Sequence, residues 1–179
     1  MSNQKVKDDM AWSSTLFVEQ VWPIIKPFLD NGELMSMEGR PDIELAKQLD
    51  MKAGIDGWQI HKDGIRGIAS RIQESKRLWD TFTIRLSRDS GAITEFEKRL
   101  KAIESPDRGW IYPALTVQAY AATKKGPILS CGITNTKDLI QYIKSRLHYT
   151  RRTSNASFAV CAWRKMIKNG YYVKIITAT

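Results

Sequence analysis

The sequence predicts one α/β domain built on a central mixed sheet, and three observations predict it. Helix-spaced and strand-spaced apolar patterns alternate along the chain: helix, strands, helix, strands. A chain of 179 residues with 42% hydrophobic residues is long and apolar enough to bury a core of its own. Two tight-turn signals, Lys62-Asp63-Gly64 and Lys124-Lys125-Gly126, each join two alternating apolar stretches, as hairpins require.

Residues 1–12 read as a loose, polar, flexible start. Ser13, Ser14 and Thr15 offer an N-cap. Phe17, Val18, Val21, Trp22, Ile25, Phe28 and Leu29 then recur at helical spacing, with Pro23 and Pro27 predicting a kink or break. Asn31-Gly32 ends this helix, Met35 to Asp42 reads as a loop, and Ile43 to Leu49 as a short helix. Ala53 to Gln73 is a hairpin, and Thr81 to Ser87 a half-buried strand. Thr94 followed by Glu97 is a capping box for a helix running to Ile103. Residues 110–134 form a second hairpin and Thr136 to Lys144 a helix. His148 to Ser157 reads as a basic polar loop, Phe158 to Trp163 as a strand, and Tyr171 to Ile176 as a last strand.

The net charge is +9, and its placement is uneven. Residues 1–105 carry 16 Lys and Arg against 17 Asp and Glu, whereas residues 106–179 carry 12 against two. The last part of the chain is therefore the expected nucleic-acid-facing portion. No apolar run approaches the roughly 20 residues of a membrane span. Met1 to Asp9 lacks the apolar core of a secretory signal, so a cytoplasmic protein is expected. Cys131 and Cys161 have no metal-type spacing and read as reduced thiols. With two histidines, no Gly-Lys-Ser/Thr phosphate loop and no dinucleotide fingerprint, several enzyme classes are unsupported.

The chemistry is expected at the first hairpin. Asp56 stands at the mouth of its first strand, and Arg71 and Gln73 share one face of its second. An acid at one strand's start meets polar groups on its neighbour, the layout that a hard divalent cation needs. Glu19, on the preceding helix, is a candidate second ligand. Trp58, beside Asp56, is a candidate substrate contact.

A helix bearing an acid, then Gly54-Ile55-Asp56 heading a strand pair that ends in a polar-x-polar triplet, resembles the PD-(D/E)XK nuclease superfamily. More narrowly, residues 15–105 resemble small proteins of phages and bacterial mobile elements. The resemblance implies a restriction-endonuclease-like fold and a DNA-binding endonuclease that hydrolyses phosphodiester bonds with Mg2+. It implies metal ligation by Asp56 with Glu19 and Gln73 or Glu74, Lys76 near the attacking water, and Arg71 on phosphate. A resolvase-like role would further imply a homodimer. The family's acid-x-Lys is replaced here by Arg71-Ile72-Gln73, and the literal Glu74-Ser75-Lys76 falls in an expected turn. Either Gln73 and Lys76 fill those roles or the site is a catalytically inactive nuclease fold that binds DNA. A third reading is a mobile-element inhibitor that binds a host protein.

Two further segments read as DNA contacts. Arg85 and Arg88 precede Ser90-Gly91, where the next helix begins and a phosphate would sit. Tyr149, Arg151 and Arg152 combine an aromatic with guanidinium forks, with Lys124, Lys125, Arg164 and Lys165 in the same basic third.

Overall fold

A computed structural model describes residues 12–36 and 53–177. The helix expected over Ile43–Leu49 and nearly all of the polar start lie outside the described residues.

Among the described residues, nine strands form two sheets. The strands are β1 (Glu33–Ser36), β2 (Gly57–His61), β3 (Gly64–Glu74), β4 (Thr81–Arg88), β5 (Leu115–Ala121), β6 (Ile128–Asn135), β7 (Tyr149–Arg152), β8 (Ala156–Ala162) and β9 (Lys174–Thr177). A six-stranded mixed sheet runs β1-β2-β3-β5-β6-β9, with β3 and β5 its parallel pair. The remaining strands form a three-stranded antiparallel sheet, β4-β8-β7. The α/β class and the mixed sheet agree with the sequence reading; the separate second sheet does not follow from it.

Both expected hairpins form, β2–β3 around Lys62-Asp63 and β5–β6 around Lys124-Lys125. At the first turn Gly64 takes φ 148°, a conformation that side-chain-bearing residues avoid. The N-terminal helix is not one α-helix. A π turn (Phe17–Val21) leads into one α turn, α1 (Trp22–Ile25), and a 3-10 turn (Lys26–Phe28). Pro23 and Pro27 explain this, since each lacks an N–H to continue the ladder and crowds the carbonyl four residues back.

Three later helices are α2 (Glu95–Glu104), α3 (Thr136–Lys144) and α4 (Trp163–Lys168). The capping box on α2 is complete: Thr94 accepts from the Glu97 amide while the Glu97 carboxylate accepts from Thr94 N–H at 2.7 Å. These bonds hold the Glu97 carboxyl below its usual range. α4 and β1 were not expected from the sequence.

The register assigns each strand two faces. One face of the large sheet carries Ile68 and Ile72 of β3, Val117 and Ala119 of β5, and Cys131 and Ile133 of β6. Phe17, Val21, Trp22, Ile25 and Leu29 of the N-terminal segment close over it as one apolar cluster. The opposite face carries Arg71 and Gln73 of β3, Thr116, Gln118 and Tyr120 of β5, and Gly132 of β6. Trp163 lies so close over Gly132 that a Cβ there would overlap its indole. Trp163 also packs on Phe82 and Tyr120, at ring separations of 5.6 and 6.2 Å, in a second core with α3 and α4. Both cysteines are buried and free, with thiols pushed up to about 12 by burial. No helix among the described residues is long and apolar enough to cross a membrane.

Candidate nucleic-acid interface

The polar face of the large sheet meets β4 and α2 at a cleft of about 500 Å³. Among the described residues, the charged side chains lining it are Asp56, Arg71, Arg85, Glu95, Lys98 and Arg99. Each is aimed there for a local reason. Asp56 sits one residue before β2, where its N–H donates to Ile68 O and continues the hairpin ladder at 2.8 Å. Its carboxylate accepts from the Ser70 amide, which fixes it over β3. Arg71 is on the polar side of β3 by alternation. Arg85 precedes a bulge in β4, where the register against β8 shifts. Glu95, Lys98 and Arg99 come from the first turns of α2, held at this angle by its capping box.

Arg99 is buried, with 8% exposure, and its Nε has no hydrogen-bond partner among the described residues. Burial lowers its pKa, Asp56 and Glu95 oppose that shift, and Arg71 adds to it. Burial likewise lowers the Arg71 pKa, with Glu95 opposing and Arg85 reinforcing. Arginine nevertheless stays charged. Four cations thus face two carboxylates in one partly desolvated cleft, an arrangement that an incoming anion would relieve. Glu95 Oε1 lies 3.4 Å from Arg85 and 3.9 Å from Arg88, while its Oε2 is buried with no hydrogen-bond partner among the described residues.

A second cleft of about 640 Å³ adjoins the first and shares Arg71 and Thr83 with it. Its lining residues Gln73, Thr81, Thr83 and Tyr120 are tied together through Gln118, which lines the first cleft. Gln118 donates to Gln73 Oε1 and to Tyr120 Oη, both at 2.9 Å, and accepts from the Thr83 amide at 2.7 Å. Tyr120 donates to Thr81 O at 3.0 Å, and burial pushes its hydroxyl above the ordinary range. Trp79, Tyr149, Arg151 and Phe158 form the outer wall. Arg71 and Arg85 both lie over the Phe158 ring, at 5.5 and 5.2 Å, so one aromatic positions two guanidiniums.

The structure gathers some expected residues and separates others. Asp56, Arg71 and Arg85 line the first cleft, and Gln73, Glu74, Tyr149 and Arg151 the second. Glu19 is exposed on the π turn, in the segment that covers the opposite face of the sheet, so it does not join Asp56. Lys76 is exposed in the coil after β3 and lines neither cleft. Among the described residues, no three Asp, Glu, His or Cys side chains cluster as a metal site. Trp58 faces Gly67 and Met35 across its neighbouring strands and lines neither cleft.

Within the segment expected as a basic loop, Tyr149–Arg152 is the edge strand β7, exposed at all four positions and paired in register with Val160 to Ser157 of β8. Arg152 reaches Asp89 at 3.2 Å, and Arg88 lies beside Glu95. Lys124 and Lys125 turn toward the N-terminal segment: Lys124 lies over Trp12, and Gln20 donates to Lys125 O. Arg164 and Lys165 are on α4, with Arg164 3.9 Å from Asp80. Of the cations lining the two clefts, Arg151 alone belongs to the basic last third.

Sequence reasoning passed over Glu95, Lys98 and Arg99. A signal was present: Phe96, Leu100 and Ile103 form an apolar helical stripe, and Arg99 falls inside it. A charge within such a stripe marks a buried polar site rather than a solvated face. Compared with family models, curated proteins and solved structures, the chain matches none.

Proposed function

We propose that the protein binds DNA, with backbone phosphate seated in the first cleft on Arg71, Arg85, Lys98 and Arg99. The observation that carries this reading is the convergence, among the described residues, of four cations and two carboxylates on one cleft, one of the cations being the buried Arg99, whose Nε has no partner among those residues. Guanidinium forks suit phosphate geometry, and a desolvated cation gains most from an anion that replaces its lost water. Arg151 and the exposed Arg152 extend the positive surface along β7. A fluorescent oligonucleotide titrated at low salt tests this. Arg85→Ala should weaken binding about tenfold, by loss of a charge-assisted hydrogen bond. Equal affinity of wild type and variant would refute the assignment of the cleft.

Mg2+-dependent phosphodiester cleavage on a restriction-endonuclease-like plan is a second reading, and one observation favours it. Glu95 Oε2 is a buried carboxylate oxygen with no partner among the described residues, and Asp56 lines the same cleft. Mg2+ usually takes one or two protein carboxylates, so this pair fits an ion that arrives together with phosphate. Such an ion would lower the pKa of a bound water and offset charge on the phosphate. Asp56 and Glu95 would hold it, while Arg71, Arg85 and Arg99 orient the backbone. Glu19 and Lys76, placed elsewhere, take no part in this version. Supercoiled plasmid with Mg2+ or Mn2+ should be nicked by wild type and not by Glu95→Gln. Identical products from both proteins would end this reading and leave DNA binding standing.

A further inference from the structure

We infer that the second cleft is a pocket for an unpaired nucleobase, so that the preferred ligand is single-stranded DNA. The inference rests on the phosphate reading of the first cleft and deepens it. Arg71 and Thr83 line both clefts. A phosphate held at Arg71 therefore has its own nucleoside's base within reach of the second cleft and not of a distant surface.

The second cleft has the make-up that a base requires. Its volume, about 640 Å³, lies within the range of small-ligand sites. Tyr149 and Trp79 are exposed at its rim, at 52% and 41%, where an aromatic face is open to stack a base. Beside its apolar lining residues Phe158 and Val160, the cleft offers fixed polar groups. Gln118 is fully engaged with Thr83, Gln73 and Tyr120, and this locks the Gln73 amide in place. Gln73 Oε1 is taken by Gln118, so the amide nitrogen is the donor left for a base edge. Phe158 does not serve as a stacking face, because Arg71 and Arg85 already lie over its ring. In a duplex the bases face each other inside the stack and would not reach this pocket while the backbone lies on Arg71.

The test compares single-stranded and duplex DNA of one sequence by fluorescence anisotropy, using wild type, Tyr149→Ala, Tyr149→Phe and Trp79→Ala. Tyr149 and Trp79 are exposed, so the variants should fold, and thermal melting checks this. Wild type should prefer the single strand. Tyr149→Ala and Trp79→Ala should each weaken single-strand binding by about fivefold or more, the loss expected for one stacking partner. Tyr149→Phe should retain it, and duplex binding should be unchanged in all variants. If Tyr149→Ala weakens both DNA forms equally, or neither, the base pocket is overturned while backbone binding stands. If wild type binds neither form at low salt, the phosphate reading fails and the pocket fails with it.

Discussion

Alternate residues on β3 and β5 face two different surroundings. Ile68, Ile72, Val117 and Ala119 meet the N-terminal helical segment in a dry apolar layer. Arg71, Gln73, Thr116 and Gln118, their immediate chain neighbours, face the clefts. The same two strands thus carry both the core and the candidate site. A sheet whose second face served stability alone would present apolar side chains there. This one buries Gln118 and tethers Arg71 at the expense of solvation, a pattern found where a protein gives up stability for a site. The comparison predicts that substitutions on the first face change stability, and that cation substitutions on the second change binding.

The largest expected effect is on the apolar face. Ile68→Ala should destabilise the fold by about 2–5 kcal/mol in urea unfolding, with DNA affinity of the folded protein unchanged. Next, Gln118→Leu on the polar face should cost about 1–3 kcal/mol, because the Thr83 amide loses its acceptor. Thr94→Ala should cost about 1 kcal/mol and loosen the turn that places Glu95, Lys98 and Arg99. Glu97 gives that contribution a pH dependence. Its pKa in the folded state is depressed below 4.5, so its stabilisation is complete above that value. It is lost as the pH falls through the lower folded-state value, and Glu97→Gln should match wild type most nearly in acid. The smallest effect on stability belongs to Arg71→Met. Losing one cation–π contact and one desolvated charge should shift unfolding by less than about 1 kcal/mol. DNA affinity should nevertheless fall clearly.

Elements governed by local rules were legible in the sequence. The Thr94–Glu97 capping box, both hairpin turns and the helix Thr136–Lys144 depend on near neighbours, and all are present. β1 was hidden because its partner β2 lies more than 20 residues along the chain, and β7 because a four-residue edge strand with all side chains exposed carries no apolar alternation. Assignment of β4 to a separate sheet depends on its pairing with β8, from Arg88 opposite Ala156 to Thr81 opposite Ala162, a distant pairing that no local pattern records. The site was legible in part. Asp56, Arg71 and Arg85 were found from alternation and from their place in the hairpin and strand. Charge counts along a chain say nothing about which cations converge in space, so the clefts were not legible from the basic last third. Most of the cleft's positive charge comes from β3, β4 and α2, in the part of the sequence whose charges nearly balance.

The central claim is that one cleft on the polar face holds phosphate. Its most direct test is the salt dependence of single-stranded DNA affinity for wild type and for Arg85→Ala combined with Lys98→Ala. Wild-type affinity should fall linearly with salt on a logarithmic plot, and the double variant's slope should be shallower by about 1.4, two phosphate contacts' worth. A double variant with the wild-type slope and affinity would contradict the account.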